Sequence, residues 1–171
     1  SGMTITQERN LQINFANPYI VVGQTVMMDK NLENTVKTAK DLDKPEYTIV
    51  TKLGVTGEIA TKKFFKKAKI VTFETEADAA AEVLNGKAAA MVYDQPYNVL
   101  FMSDKGKDRL VHLDTPLTYE PLGWAIRKGD PDFLNWLNNF LRQSQEDKVV
   151  GFSDELYQKW LVETDWLQRV Q

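Results

Sequence analysis

Three short segments carry residue types able to hold a small charged molecule. The first is Gly2-Met3-Thr4-Ile5-Thr6-Gln7-Glu8-Arg9. An extended Thr4-Ile5-Thr6 puts the two hydroxyls on one face, and Arg9 follows after a turn. A guanidinium is a planar fork for a carboxylate, and hydroxyl and backbone N–H groups beside it complete a receptor. The same residues also read as a surface arginine in a loop. The second segment, Lys52-Leu53-Gly54-Val55-Thr56-Gly57-Glu58, lies at a strand-to-helix junction. Gly54 and Gly57 let the backbone approach a ligand closely, and a helix start aims unpaired N–H groups at an anion. Neither the Gly-Lys-Ser/Thr ending of a phosphate loop nor the Gly-x-Gly-x-x-Gly of a dinucleotide site is present, so a small carboxylate fits better than a pyrophosphate. A helix capped by Thr56 or its neighbour is the alternative. The third is Asp94, directly after the most apolar strand of the chain, with Tyr93 as an aromatic wall and Pro96 fixing the turn. Ligands of open α/β sheets sit beyond the carboxyl ends of strands, where a carboxylate can take an ammonium group; Asp94 could equally cap the next helix. Together the three segments make a receptor for a zwitterion.

Composition closes other routes. Among 171 residues, 21 Lys plus Arg face 24 Asp plus Glu, a net charge of −3 that argues against a nucleic-acid partner. The absence of cysteine removes disulfides, thiolate zinc sites, iron–sulfur clusters and cysteine nucleophiles. His112 stands alone, so a histidine metal site or a Ser-His-Asp triad hangs on one residue. Glu74, Glu76 and Asp78 are acids expected at a helix start, and Lys62, Lys63, Lys66, Lys67 and Lys69 read as a solvated face. Neither a metal nor a cofactor is expected. No run approaches the roughly 20 apolar residues of a membrane helix. The opening Ser1-Gly2-Met3-Thr4 lacks the marks of a signal peptide and reads as the inside of a longer protein, a fragment or a processed product.

The elements that must position these residues alternate through the middle of the chain. Strands are predicted over 47–51, 69–73, 88–93 and 109–113. Helices are predicted over 57–67 with Ile59, Ala60 and Phe64 apolar, over 76–84 with Ala80, Val83 and Leu84 inward and Asn85-Gly86 as its stop, and over 97–102. This β-α-β-α-β rhythm predicts a doubly wound α/β module, with the 88–93 run buried on both faces of a parallel sheet. On the flanks, 11–15 alternates and 121–126 is extended. Asp130-Pro131-Asp132 opens a helix whose buried stripe is Phe133, Leu134, Leu137, Phe140 and Leu141. A further helix is predicted from Ser153, with Leu156, Tyr157, Trp160 and Leu161 on one side. The chain therefore divides into a continuous lobe, 23–119, and a second built from 1–22 and 120–171. Its crossings near Val21–Gly23 and Tyr119–Leu122 form a hinge.

These segments resemble the polar amino-acid-binding proteins of bacterial ABC importers, which have the two-lobed type II periplasmic binding protein fold. The likeness is carried by Gly-Met-Thr-Ile-Thr-x-x-Arg at 2–9, Phe-Ala-Asn-Pro-Tyr at 15–19, Lys-Leu-Gly-Val-Thr-Gly-Glu at 52–58, Val-Tyr-Asp-Gln-Pro at 92–96 and Leu-Tyr-Gln-Lys-Trp at 156–160, in order along the whole chain. The resemblance implies a complete second lobe and a partial first lobe, without the segment before Gly2 that selects the ligand side chain. It further implies that Gly2 offers its carbonyl to the ligand ammonium, Thr4 and Arg9 hold the α-carboxylate, Thr56 and Gly57 add hydroxyl and N–H contacts, Asp94 pairs with the α-ammonium, and Lys52 reaches a side-chain oxygen or solvent. The function expected is periplasmic or extracytoplasmic capture of an L-amino acid, polar or charged, for the membrane subunits of an ABC transporter, without catalysis. A chain lacking part of one lobe is expected to self-associate or to need the missing segment. The rivals are an enzyme on the same fold, a dehydratase or lytic enzyme using Glu120, His112 or Glu58, and a sensor domain of a membrane receptor.

Overall fold

The computed structural model describes residues 2–113, 115–146 and 159. The helix expected from Ser153, with Leu156, Tyr157, Trp160 and Leu161, lies outside the described residues. In chain order the elements are β1 (Met3–Thr4), α1 (Gln7–Asn10), β2 (Asn14–Phe15), β3 (Ile20–Val22), β4 (Gln24–Asp29), 3-10 turns at Lys30–Leu32 and Ala39–Leu42, β5 (Thr48–Lys52), α2 (Thr56–Phe64), β6 (Lys69–Phe73), α3 (Glu76–Leu84), β7 (Ala90–Asp94), α4 (Gln95–Asp104), β8 (Leu110–Leu113), β9 (Glu120–Gly123), β10 (Ala125–Ile126) and α5 (Pro131–Glu146). They fall into two compact units, Gly23–Tyr119 and Ser1–Val22 with Glu120–Gln171.

The Gly23–Tyr119 unit is a five-stranded sheet in the order β6-β5-β7-β4-β8. β6, β5 and β7 run parallel, linked by α2 and α3, whereas β4 is antiparallel to both β7 and β8. The doubly wound part is thus as expected, but the sheet is mixed. β4 was not marked by the sequence pattern: its run of five buried residues begins with two polar ones, Gln24 and Thr25, which hide the strand signal. Side-chain alternation sorts the core onto two faces. Val26, Met28, Ile49, Ala90 and Val92 meet Ala60 and Phe65 on one. Met27, Val50 and Met91 meet Ala79, Ala80 and Val83 of α3, with Phe101 and Met102 of α4 packed against them, on the other.

Helix α2 differs from expectation in register. Its buried residues are Gly57, Ala60 and Thr61, while Ile59 is 65% and Phe64 41% exposed. The cause is at its end: Phe65 turns extended (φ −105°, ψ 117°) and sinks into the core in place of Phe64. The end of α3 is as expected, with Gly86 in the left-handed region (φ 69°) after Asn85. The five lysines 62, 63, 66, 67 and 69 are all exposed.

In the other unit β9 pairs antiparallel with β1 and β3, and β10 with β2. The alternating stretch 11–15 is a strand only at Asn14–Phe15. The N–H groups of Leu11, Gln12 and Ile13 go to carbonyls of Glu8 and Arg9, so they close the turn after α1 and cannot join a ladder. The N–H of Phe133 donates to Asp130 Oδ1 at 2.9 Å, the expected cap of α5. Of its predicted stripe, Leu137 and Leu141 are buried with Ala16, and Leu134 packs against them. Phe133 is instead 45% exposed, its ring stacked on that of the exposed Trp136 one turn on.

Candidate ligand-binding site

Asp94 closes β7 directly opposite Gln24 of β4. Its side chain does not cap α4, although its backbone occupies the N-cap position. It accepts instead from Nε2 of Gln24, and the same nitrogen donates to Thr56 Oγ1 at 3.3 Å. A single carboxamide therefore ties the carboxylate at the end of β7 to the hydroxyl at the start of α2. Gln24 is buried to 1% exposure and was not among the residues expected from sequence. The available signal was a polar residue inside the run Val21–Met28, whose partner lies 70 positions away.

The helix start beside them has no side-chain cap. Val55 is the N-cap of α2 and makes no side-chain cap, so Thr56 is the first helical residue rather than a cap. Glu58 turns back to accept from the Gly54 N–H at 2.7 Å and pairs with Lys62. Its carboxyl is held below the usual range by the Lys62 hydrogen bond, then by the Gly54 N–H. Gly54 takes φ 76°, the left-handed turn that brings the chain from β5 into the helix. Gly57 is needed for packing: a Cβ there would lie 2.8 Å from Gln24 Oε1 and 3.2 Å from Thr51 Oγ1.

Lys52, at the end of β5, pairs with Glu76 at the start of α3, Nζ to Oε2 2.7 Å. The Lys52 hydrogen bond lowers the Glu76 carboxyl. Tyr93 and Tyr97 meet edge to face, with centroids 5.2 Å apart. Burial, and then the charge of Glu76, pushes both phenols up to about 12, so they remain neutral donors at any ordinary pH.

In the other unit Thr4 is buried and Arg9 half-buried. Arg9 Nη1 donates to the Thr4 carbonyl at 2.8 Å, while the Arg9 N–H donates to Thr6 Oγ1 at 3.2 Å. Thr6 is thus the cap of α1, and the guanidinium is folded back onto the Thr4 carbonyl. Gly2 is exposed, and a Cβ there would meet nothing within 4 Å. Thr4 and Arg9 are therefore joined within one unit, and Thr56, Gly57 and Asp94 within the other through Gln24. Among the described residues no cluster of acids and histidine could hold a metal, and no helix is long and apolar enough to cross a membrane.

Residues 1–163 match the bacterial extracellular solute-binding proteins, family 3. The ABC transporter glutamine-binding protein GlnH of Bacillus subtilis (strain 168) is 29% identical over 162 residues, 94% of this chain and 56% of that protein. The cyclohexadienyl dehydratase of Pseudomonas aeruginosa PAO1 is 30% identical over 161 residues, 94% of this chain and 59% of the enzyme. This chain thus spans little more than half the length of these relatives. A crystal structure from Wolinella succinogenes DSM 1740, described as a binding component of an ABC transporter complexed with lysine, matches with a TM-score of 0.90 at 62% identity, covering 98% of this chain and 71% of that one. The α/β architecture is therefore that of amino-acid-binding proteins over the part of the fold the chain spans.

Proposed function

The chain belongs to the bacterial extracellular solute-binding proteins, family 3, and we propose that it serves to capture an L-amino acid outside the cytoplasm for the membrane subunits of an ABC importer, without catalysis. The observation that carries this reading is the pairing, through one Gln24 carboxamide, of the Asp94 carboxylate with the Thr56 hydroxyl at an uncapped helix start. An acceptor for an ammonium group stands beside donors for a carboxylate, which is the charge pattern of a free amino acid. In this reading Asp94 takes the α-ammonium, and Thr56 and the Gly57 N–H take carboxylate oxygens. Thr4 and Arg9 engage the α-carboxylate, and Gly2 offers its carbonyl to the ammonium. Lys52, paired with Glu76, reaches a side-chain oxygen of the ligand or solvent. Lysine in the Wolinella succinogenes structure and the glutamine named for the Bacillus subtilis relative both support a polar or charged ligand.

Arg9→Ala and Asp94→Ala, each made in the full-length protein, should weaken binding by at least about 2 kcal/mol, because each leaves a ligand charge desolvated and unpaired. Arg9→Lys should lose most of the affinity as well, since a point charge cannot reproduce the fork. Calorimetry against the common L-amino acids tests this, and wild-type affinity in both alanine variants removes the reading. The dehydratase relative favours a second reading, an enzyme on this scaffold using Glu120, whose side chain is buried to 4% exposure. Turnover of a cyclohexadienyl acid, abolished in Glu120→Gln, would replace the first reading with the second. The self-association expected of the chain by itself is also a proposal, tested by light scattering at several concentrations.

A further inference from the structure

We propose that Gln24 is the positioning residue of this site: its carboxamide sets where the Asp94 carboxylate and the Thr56 hydroxyl stand, a role whose purpose rests on the amino-acid-binding reading. The amide orientation is forced. An ionised carboxylate only accepts, so the NH2 end must face Asp94, and its second hydrogen is aimed at Thr56. Thr56 then accepts from Gln24, and its own hydroxyl proton is left to donate to a ligand oxygen. One side chain thereby orders both halves of the receptor, acceptor at Asp94 and donor at Thr56.

The backbone of Gln24 leaves this side chain little freedom. Its N–H donates to Thr118 Oγ1 at 3.0 Å, its carbonyl accepts from Leu117 at 2.7 Å, and on the other edge it is in register with Asp94. Gly23 permits this contact, since a Cβ there would lie 2.6 Å from Pro116 Cβ. The fold itself gains little from the carboxamide. Oε1 is buried and has no hydrogen-bond partner among the described residues, an unfavourable arrangement that a methionine of similar length would avoid. The amide makes sense through what its nitrogen holds.

Gln24→Met separates a positioning role from a structural one. Its unliganded melting temperature should equal or exceed that of the wild type, while its affinity for L-lysine, measured by calorimetry in the full-length protein, falls tenfold or more. In the unliganded chain, carbon-13 NMR should show the Asp94 carboxyl titrating higher by roughly half a pH unit or more, because a donor to its ionised form is gone. Unchanged affinity in a stable variant overturns the proposal. If neither L-lysine nor any other common amino acid binds the wild type, the amino-acid reading fails, and the Asp94 titration alone decides: an unmoved midpoint overturns the positioning role, and a raised one supports it.

Discussion

A methyl group at position 57 would meet three oxygens: Gln24 Oε1 at 2.8 Å, Thr51 Oγ1 at 3.2 Å and the Val92 carbonyl at 3.3 Å. None can retreat freely, because Gln24 is held by Asp94 and Thr56, and the Thr51 hydroxyl donates to Val92 at 2.9 Å. Gly57→Ala should therefore cost about 1–3 kcal/mol in chemical denaturation, as overpacking of a close-fitted site does, and should weaken ligand binding with it. A variant as stable as the wild type would show that α2 can lift from the sheet without loss. Legibility at this scale was uneven for a physical reason. Asp94 announces itself by following the apolar run Ala88–Tyr93, so its place beyond a strand end is readable. Gln24 gains its meaning only from a cross-strand partner and from a helix 32 residues away, and no local pattern encodes that. Gly57 is legible as a glycine that something approaches, but the approaching group is the Gln24 side chain.

Among elements, the passage from α2 to β6 is held by one carboxylate. Asp43 Oδ1 accepts the N–H groups of Lys66, Lys67 and Ala68 at 2.7, 2.6 and 3.1 Å. The Lys67 N–H is the largest cause of an Asp43 carboxyl held below the usual range. Asp41 is lowered similarly, first by the Lys37 N–H and then by that of Thr38. A carboxyl whose folded pKa is depressed stabilises the protein above its unfolded value, about 3.9 for aspartate, and that contribution disappears as pH falls through the folded value. Asp43→Ala should therefore melt measurably lower than the wild type at pH 7, and the gap should narrow as pH drops from about 5 to about 2. A gap that stays constant over that range would mean the three N–H groups do not depend on the charge. This contact joins residues some 24 positions apart and has no sequence signature, whereas the cap of α5 at Asp130 follows from spacing alone. The same distinction explains α2: helical periodicity is readable, but which of Phe64 and Phe65 enters the core depends on where the helix stops.

At the scale of the whole molecule, both cores of the five-stranded sheet are drawn, among the described residues, from the unit Gly23–Tyr119 alone. One face is covered by α2 and the residue after it, through Ala60 and Phe65, and by the second 3-10 turn and the segment before it, through Leu42 and Val36; the other by α3 and α4, through Ala79, Ala80, Val83 and Phe101. Every strand of that sheet lies within the unit, and the smaller core of Ala16, Leu137 and Leu141 belongs wholly to the other. Two hydrophobic faces supplied locally are what a domain needs to fold independently. Residues 23–119 expressed alone should thus unfold in one cooperative transition by circular dichroism and by tryptophan-independent probes such as tyrosine fluorescence, with coincident midpoints. They should also keep the Gln24–Asp94–Thr56 arrangement, so that the Asp94 carboxyl titrates as it does in the longer chain. A broad, probe-dependent melt would show that the interleaved N- and C-terminal segments complete the core of this unit, and would remove the independence argued from its two faces.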